Sequence, residues 1–576
     1  MSSLPPVPRR WASRNGGPVS EDVVRALADA LHLPDPLCRL LTARGMTTPE
    51  AAKRFLRPRL DHLHDPHAMT GMGPFVERVI VALDRGETIL VHGDYDVDGI
   101  CAATLYTRVL RALGGRVQAF VPHRGRDGYD LGPAGVQAAR DAGASLLITA
   151  DCGIVAHDAV DAARRAGIDV LVSDHHTPAA TLPAAHAVLN PKRTDCAYPN
   201  EGLCGTGVAF KACQALARAR GLDEEELLYH LDLVALATVA DLVPLTDENR
   251  VLVRFGLRVL KQTRNPGLRA LLDVAGLAGR DDLSTGHLSH VLAPRINAVG
   301  RVADAMDGVR LLLTENEDEA RTLARQLDEE NRRRRAVDRS ILNEALELLA
   351  PTFDPGRQRA VVLASERWHA GVIGIVASRI VERVHRPTAL IALSGDGNAR
   401  GSARSIPGFD LYAAIRDCGE HLERFGGHRA AAGFDIRPDR IDAFREAFEA
   451  RARAGLTDDQ LVAEVGVDLE LPLGAADRDL YRYLRYMGPF GIGNPTPVFV
   501  ARGVEVADAR PVGDGHVKMR LQQNGAKLEA IGFGMADRYA AVRADGGRLD
   551  VAFQLQEDHW RGRVRLQARL VDVRGS

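Results

Sequence analysis

Between about residue 76 and residue 250 of this 576-residue chain, short apolar runs alternate with stretches of helical periodicity, and this alternation narrows the choice of fold more than any other feature. Glu77 to Leu83, Ile100 to Leu113, Val136 to Ala142 and Ala159 to Ala166 read as helices. Thr88 to Val91, Val117 to Val121, Leu146 to Thr149 and Val170 to Val172 read as strands between them. Strands that alternate with helices build a parallel α/β sheet. Ligands of such sheets collect beyond the carboxyl ends of the strands, so the residues after each strand are the informative ones.

The first predicted strand runs into His92-Gly93-Asp94-Tyr95-Asp96-Val97-Asp98-Gly99, with three carboxylates at alternate positions on a glycine-flanked loop. Unit charges ~4 Å apart repel by about 4 kcal/mol at a surface-like dielectric. A bound cation or a solvated acidic turn would each account for the loop. Later strands deliver Ala150-Asp151-Cys152-Gly153 and Ser173-Asp174-His175-His176, and Asp241 follows the apolar run Leu233 to Ala240. Each alone has an ordinary reading as a turn or a helix cap. Four such features at one sheet edge favour a metal site. Carboxylates with one or two histidines and no thiolate suit Mn²⁺ or Mg²⁺ rather than structural zinc. Two such ions serve displacement at phosphorus, one activating water and the other steadying the leaving oxygen. Asp151 is the candidate for a carboxylate bridging both.

Composition excludes several classes. The seven cysteines are scattered (38, 101, 152, 196, 204, 213 and 418) with no C-x-x-C, which argues against a disulfide scaffold or a zinc finger and fits a reducing cytosol. No apolar h-region follows Arg9-Arg10 and no run of about 18 apolar residues occurs, so neither export nor a membrane span is expected and the location is read as cytoplasmic. The net charge of −2 is silent on nucleic acid.

Asp96-Val97-Asp98-Gly99 together with Asp174-His175-His176 resembles the signature of the DHH phosphoesterase superfamily. Within it the chain is similar to the RecJ family of bacterial single-strand-specific 5′→3′ DNA exonucleases, along nearly its whole length. The likeness continues through Asp151-Cys152-Gly153, Leu203 to Ala209, Ala293 to Arg301, Trp368 to Gly374, Gly401 to Ser405, Gly426-Gly427-His428 and Pro489 to Pro495. The resemblance implies that Asp96, Asp98, Asp151, His175 and Asp241 hold two Mn²⁺ or Mg²⁺ ions. It makes His176 a phosphate-facing or general-acid residue, and Asp94 and Asp174 supports that orient ligands. His92 is left unassigned. One departure stands out: where the family usually reads Gly-Tyr-Gly-Leu, this chain has Gly128-Tyr129-Asp130-Leu131, and a carboxylate there is expected to perturb a phosphate-facing loop.

The expected fold class is α/β, in five parts. Residues 1–75 form a helical N-terminal extension packed on the core. Residues 76–310 form the parallel-sheet DHH catalytic domain, ending in a phosphate-binding loop with Arg295 and Arg301. Residues 311–355 hold a long connecting helix over Glu317 to Leu349, a stretch free of Gly and Pro, with a basic block at Arg332 to Arg335. By resemblance such a helix joins two lobes and leaves a groove that excludes duplex. Residues 356–458 form the second α/β lobe, the DHH-associated domain, where His369, Ser402, Arg404, Gly427 and His428 join Arg124 as phosphate contacts. Residues 459–576 read as an all-β module that suits a five-stranded OB-fold barrel. Arg561, Arg563 and Arg565 alternate there and should share one strand face, which suits a single-stranded backbone. Trp368 is expected to pack in a core.

The expected activity is removal of 5′-mononucleotides from single-stranded DNA in repair and recombination. The expected substrate has a free 5′ end, with single-strand-binding protein and helicase as candidate partners, and the chain is expected to act as a monomer. A phosphoesterase of short oligonucleotides or cyclic dinucleotides is one alternative, disfavoured by the C-terminal β module. A non-catalytic scaffold is another, disfavoured by the intact acidic set.

Overall fold

The chain divides into two units, one of residues 56–333 and 488–495, the other of 1–55, 334–487 and 496–576. The computed structural model describes residues 4, 7–14, 17–124, 126–128, 130–302, 304–394, 397–513, 515–543, 547–560 and 563–576, with the backbone alone at 299, 301, 302, 559 and 560.

The first unit holds a five-stranded, all-parallel sheet. Its strands lie in the order Arg116–Phe120, Thr88–Gly93, Leu146–Ala150, Asp169–Ser173, Ala187–Leu189. Parallel strands are covered on both faces, so they read as unbroken apolar runs; Leu146–Ala150 is buried at every residue. Helices Met72–Asp84, Val97–Ala112 and Gly205–Ala219 pack Phe75, Val79, Leu105, Tyr106 and Phe210 against one face. Helices Pro133–Asp141 and His157–Arg165 cover the other with Val136, Ala139, Val160 and Ala163. The helix Leu231–Ala240 is apolar on all sides and correspondingly buried from Leu231 to Val239.

The segment 295–301, expected as a loop, is helical. A π-helical turn over Leu288–Leu292 runs directly into the helix Ala293–Val302. The long helix matches its expected bounds, Glu317–Leu349, and its 33 residues extend about 50 Å. Arg332 pairs with Asp328 at 2.6 Å, and Arg333 with Glu329 and Glu330 at 3.5 and 3.3 Å. These cations of the basic block therefore spend charge along their own helix.

The second unit contains a five-stranded mixed sheet in the order Leu422–His428, Ala431–Ile436, Ala399–Arg404, Thr388–Leu393, Val361–Ser365. It also holds a closed barrel of five strands, Phe499–Val512, His516–Gln523, Ala526–Gly532, Leu549–Trp560 and Arg563–Gly575, in OB topology. Pairing of the first strand with the fourth closes the ring. The N-terminal 75 residues are not one helical extension on the catalytic core. Residues 1–55 belong to this second unit. They begin with the strand Arg9–Ser13, which pairs in parallel with Ala463–Val467, and Trp11 Nε1 donates to Asp572 at 2.7 Å. All seven cysteines are free. Among the described residues no helix is long and apolar enough to cross a membrane.

Candidate metal centre

Strand order locates the site. From Thr88–Gly93 the chain passes to the neighbour on one side, Arg116–Phe120, and then to the neighbour on the other, Leu146–Ala150. That reversal is a topological switch point, where open α/β sheets bind ligands. The loops 94–98 and 151–153 leave the strands that flank it.

Asp96 caps the helix Val97–Ala112, accepting from the N–H groups of Asp98 at 2.9 Å and Gly99 at 3.2 Å. Asp98 is buried, and its two oxygens accept from the N–H groups of Gly205 and Thr206, both at 2.7 Å. These are the first residues of the helix Gly205–Ala219, whose dipole favours an anion there. A Cβ at Gly205 would lie 2.5 Å from the Asp151 carboxylate, so that approach requires glycine. Asp151 sits in the left-handed region (φ 69°) and donates its N–H to the Ser173 carbonyl at 3.0 Å. His175 Nε2 lies 3.1 Å from Asp151 Oδ1, 3.6 Å from Asp241 Oδ2 and 3.8 Å from Asp98 Oδ2.

Three groups of ligand-capable atoms each fit within 4.8 Å: Asp94, Asp96 and Asp151; Asp98, His175 and Asp241; Asp151, His175 and His176. Asp151 therefore belongs to the first and third of these groups, and His175 to the second and third. The expected support Asp174 is fully occupied. Its Oδ1 accepts from the N–H groups of His175 (2.7 Å) and His176 (3.1 Å) and meets His176 Nδ1 at 2.8 Å, while Oδ2 accepts from Ile154 N–H at 3.0 Å. Asp94, the other expected support, shares a ligand-capable group with Asp96 and Asp151, and its Oδ1 has no hydrogen bond.

The electrostatics point the same way. Burial, then repulsion from Asp98 and Asp96, pushes Asp241 up to about 8 and Asp151 well above the carboxylate range. Burial and Asp96 do the same to Asp94. Burial takes His175 down to about 4, leaving a neutral ring. Burial opposes charge on His176 too, but the hydrogen bond and charge of Asp174 raise it to about 9. Asp94 Oδ1, Asp151 Oδ1 and both ring nitrogens of His175 are buried without a hydrogen-bond partner. Such atoms cost about 1–3 kcal/mol each when left unpaired. Repelling carboxylates, a neutral imidazole and unpartnered donor atoms fit a hard divalent cation.

The second group of expected residues lies in the mixed sheet of the other unit. Register sets Ser402 opposite Gly433 and Gly433 opposite Gly426, then Arg404 opposite Ala431 and Ala431 opposite His428. Alternation puts these residues on one face, with only glycine and alanine between the polar ones. Gly427 precedes His428 on the exposed edge strand. Arg404 Nη1 donates to Ser402 Oγ at 3.1 Å. A Cβ at Gly374, in the first turn of the helix Ile373–Val384, would fall 2.8 Å from both groups. The exposed His369 accepts from Gly371 N–H at 3.1 Å. A helix N-terminus, a guanidinium and a hydroxyl meet there, the components of an anion cradle. Trp368 is buried, as expected.

Arg124 is exposed and lies 5.0 Å over the Tyr95 ring, beside the acidic loop. Arg295 departs from its expected phosphate role. It is 8% exposed, donates from Nε to Asp328 at 2.9 Å and from Nη1 to the Val291 carbonyl at 2.6 Å, and so ties its helix to the long one. Arg563 and Arg565 are exposed, but Arg565 stands directly opposite Asp558. The side chain of Arg301, Tyr129 and Arg561 lie outside the described residues. His92 is buried against Cys152, with Nδ1 3.5 Å from its sulfur.

Sequence reading missed Asn190, just after the fifth strand, whose amide donates to the His176 carbonyl at 2.9 Å. The signal was present, since Asn190 is also a polar residue at a strand end. It also gave no role to Gly205-Thr206, the donors to Asp98, although the stretch stands out as a motif.

Family models match this chain in three stretches: the DHH family N-terminal domain over residues 88–238, the DHHA1 domain over 357–454 and the RecJ OB domain over 467–572. The chain is 38% identical over 561 residues to the single-stranded-DNA-specific exonuclease RecJ of Dickeya dadantii, covering 93% of this chain and 95% of the relative. It is 34% identical over 557 residues to the RecJ of Bacillus subtilis, with coverages of 96% and 70%. The crystal structure of Thermus thermophilus RecJ in complex with Mn²⁺ aligns with a TM-score of 0.84 at 32% identity, over 99% of this chain and 80% of that one. The same protein in complex with Mg²⁺ aligns with a TM-score of 0.78 at 31% identity, over 99% and 79%. From the switch-point carboxylates to the C-terminal barrel, the chain belongs to the RecJ family.

Proposed function

We propose that this protein is a 5′→3′ exonuclease that degrades single-stranded DNA to 5′-mononucleotides by two-metal hydrolysis. The observation that carries the reading is the convergence of three ligand-capable groups linked through Asp151 and His175, in a chain whose relatives are named for single-stranded-DNA-specific exonuclease activity. Asp96 and Asp151, with Asp94, would hold one ion, and Asp98, His175 and Asp241 the other. When bound, such a pair supplies an activated water and stabilises charge on the leaving oxygen. The protein's own part is preorganisation. Two N–H groups at a helix start aim Asp98, and Asp174 orients His175 and His176 through three contacts on one oxygen. His176, raised to about 9, carries a proton at neutral pH beside the reacting phosphate and can hand it to the departing 3′ oxygen. Arg124 would steady a substrate phosphate near the loop, and Ser402, Arg404, His369, Gly427 and His428 would take phosphate on the mixed-sheet face. The barrel, with Arg563 and Arg565, would bind single-stranded backbone. We place the activity in DNA repair and recombination, in a cytoplasmic monomer that works alongside single-strand-binding protein and helicase.

A time course on single strands blocked at one end or the other, in Mn²⁺, tests activity and polarity together. Strands blocked at the 3′ end should shorten and release 5′-phosphorylated mononucleotides, and strands blocked at the 5′ end should persist. Binding without release, or release only from an open 3′ end, would reject the reading.

A further inference from the structure

We infer that Asp130 is a positioning residue for the metal centre: its carboxylate tethers the loop that aims Asp151. The inference rests on the nuclease reading above and names a support of the same site.

The loop 151–153 is an unusual turn. Asp151 and Gly153 both have positive φ, 69° and 103°. A non-glycine residue in the left-handed region is strained and holds only where its surroundings impose it. The loop's contacts identify what imposes it. Asp151 N–H donates to the Ser173 carbonyl at 3.0 Å. The Cys152 carbonyl accepts from Thr149 Oγ1 at 2.7 Å. Ile154 N–H donates to Asp174 Oδ2 at 3.0 Å. Thr149 and Ser173 lie on the two strands that carry the site, and Asp174 directly follows the second. The N–H of Gly153 donates to Asp130 Oδ1 at 2.6 Å. Asp130 reaches in from a different segment, the one that precedes the helix Pro133–Asp141.

Asp130 is itself built for that reach. It lies in the left-handed region (φ 70°), which Asp, Asn and Gly tolerate best. The same Oδ1 also accepts from the following N–H, on Leu131, at 2.8 Å. One oxygen thus joins two segments, while Asp151 Oδ1 stays buried and without a hydrogen bond at the other end of the turn. A glycine here could adopt the same φ but would carry no acceptor. The Asp130 carboxylate thus ties the loop 151–153 to the segment that precedes the helix Pro133–Asp141.

Asp130→Gly and Asp130→Asn separate the roles. Both keep the backbone conformation, and only Asn retains an acceptor oxygen. In the full-length protein, Mn²⁺ binding is read by electron paramagnetic resonance of the free ion, and kcat and KM are read on a 5′-phosphorylated single strand. D130G should weaken Mn²⁺ binding about 10–100-fold, the usual range for losing a support behind a ligand. It should also lower kcat with KM unchanged, and D130N should recover most of both. D130G that binds Mn²⁺ like wild type would overturn the proposal, as would D130N that is as weak as D130G. Wild type that neither binds Mn²⁺ nor releases nucleotides would overturn the nuclease reading and this tether's role with it. Wild type that does both, matched by D130G, would overturn the tether alone.

Discussion

The carboxylate cluster of the parallel sheet and the polar face of the mixed sheet are both suited to hold phosphate, and they are built in opposite ways. The cluster is buried, crowded with like charge and left with unpartnered polar atoms. Its donor set fits a divalent cation. The mixed-sheet face is open and nearly stripped of side chains: glycine and alanine separate Ser402, Arg404 and His428, and Gly374 lets a helix start come close to two of them. That face can take an anion directly. In the first region the one cation within the ligand-capable groups is His176, and in the second the positive charge belongs to the chain. The difference predicts that substitutions in the first act on rate and those in the second on binding.

Asp151→Ala should produce the largest effect, a loss of about 10³-fold or more in nucleotide release with single-strand binding retained in an anisotropy assay. Equal loss of both would erase the contrast. Next comes the dependence of stability on metal and pH. Asp241, pushed up to about 8, binds its proton more tightly folded than unfolded. Without metal, the folded state should therefore lose stability as pH rises from about 4 to about 8. The rise in melting temperature on adding Mn²⁺ should be greater at about pH 8.5 than at about pH 5.5, and an equal rise would show that the cluster is not starved of charge. Arg404→Ala should weaken binding of a 5′-phosphorylated strand about 10–100-fold and leave the melting temperature unchanged, as expected for a charge-assisted contact. Arg295→Ala should behave inversely. It strands Asp328, which keeps Arg332, so it should remove about 2 kcal/mol from stability in denaturant unfolding without a direct effect on KM. Arg565→Ala should be smallest, lowering the salt slope of binding by about one or less, as expected for a single exposed phosphate contact.

The two arginines also show what a sequence can and cannot disclose. Asp96, Asp98, Asp151 and His175 were legible because each lies within a few residues of the end of an apolar strand, and strand ends of a parallel sheet gather at one edge. Arg404 was legible because it travels with Gly401 and Ser402 on a single strand whose alternation fixes a common face. Arg295 was not, because its partner sits on another helix 33 residues away and nothing local marks the pair. The surrounding helix, Ala293–Val302, was also obscured by Pro294 and Gly300, which suggest a loop but here lie within a helix that follows a π-helical turn. Asp130 was visible as a departure from pattern, but its contact with Gly153 was not, because 23 residues separate the two.

The pairing of Arg9–Ser13 with Ala463–Val467 has a consequence for the order of assembly. At about 5–20 residues per second of synthesis, the roughly 450 residues between these strands take about 20–90 s to emerge. The parallel sheet, all of whose strands lie between Thr88 and Leu189, has its partners long before then. The strand made earliest thus waits, with its hydrogen-bonding edge unpaired, while another unit folds. The charged Arg9 and Arg10 that it carries are the kind of side chain that keeps a waiting edge from pairing with the wrong neighbour.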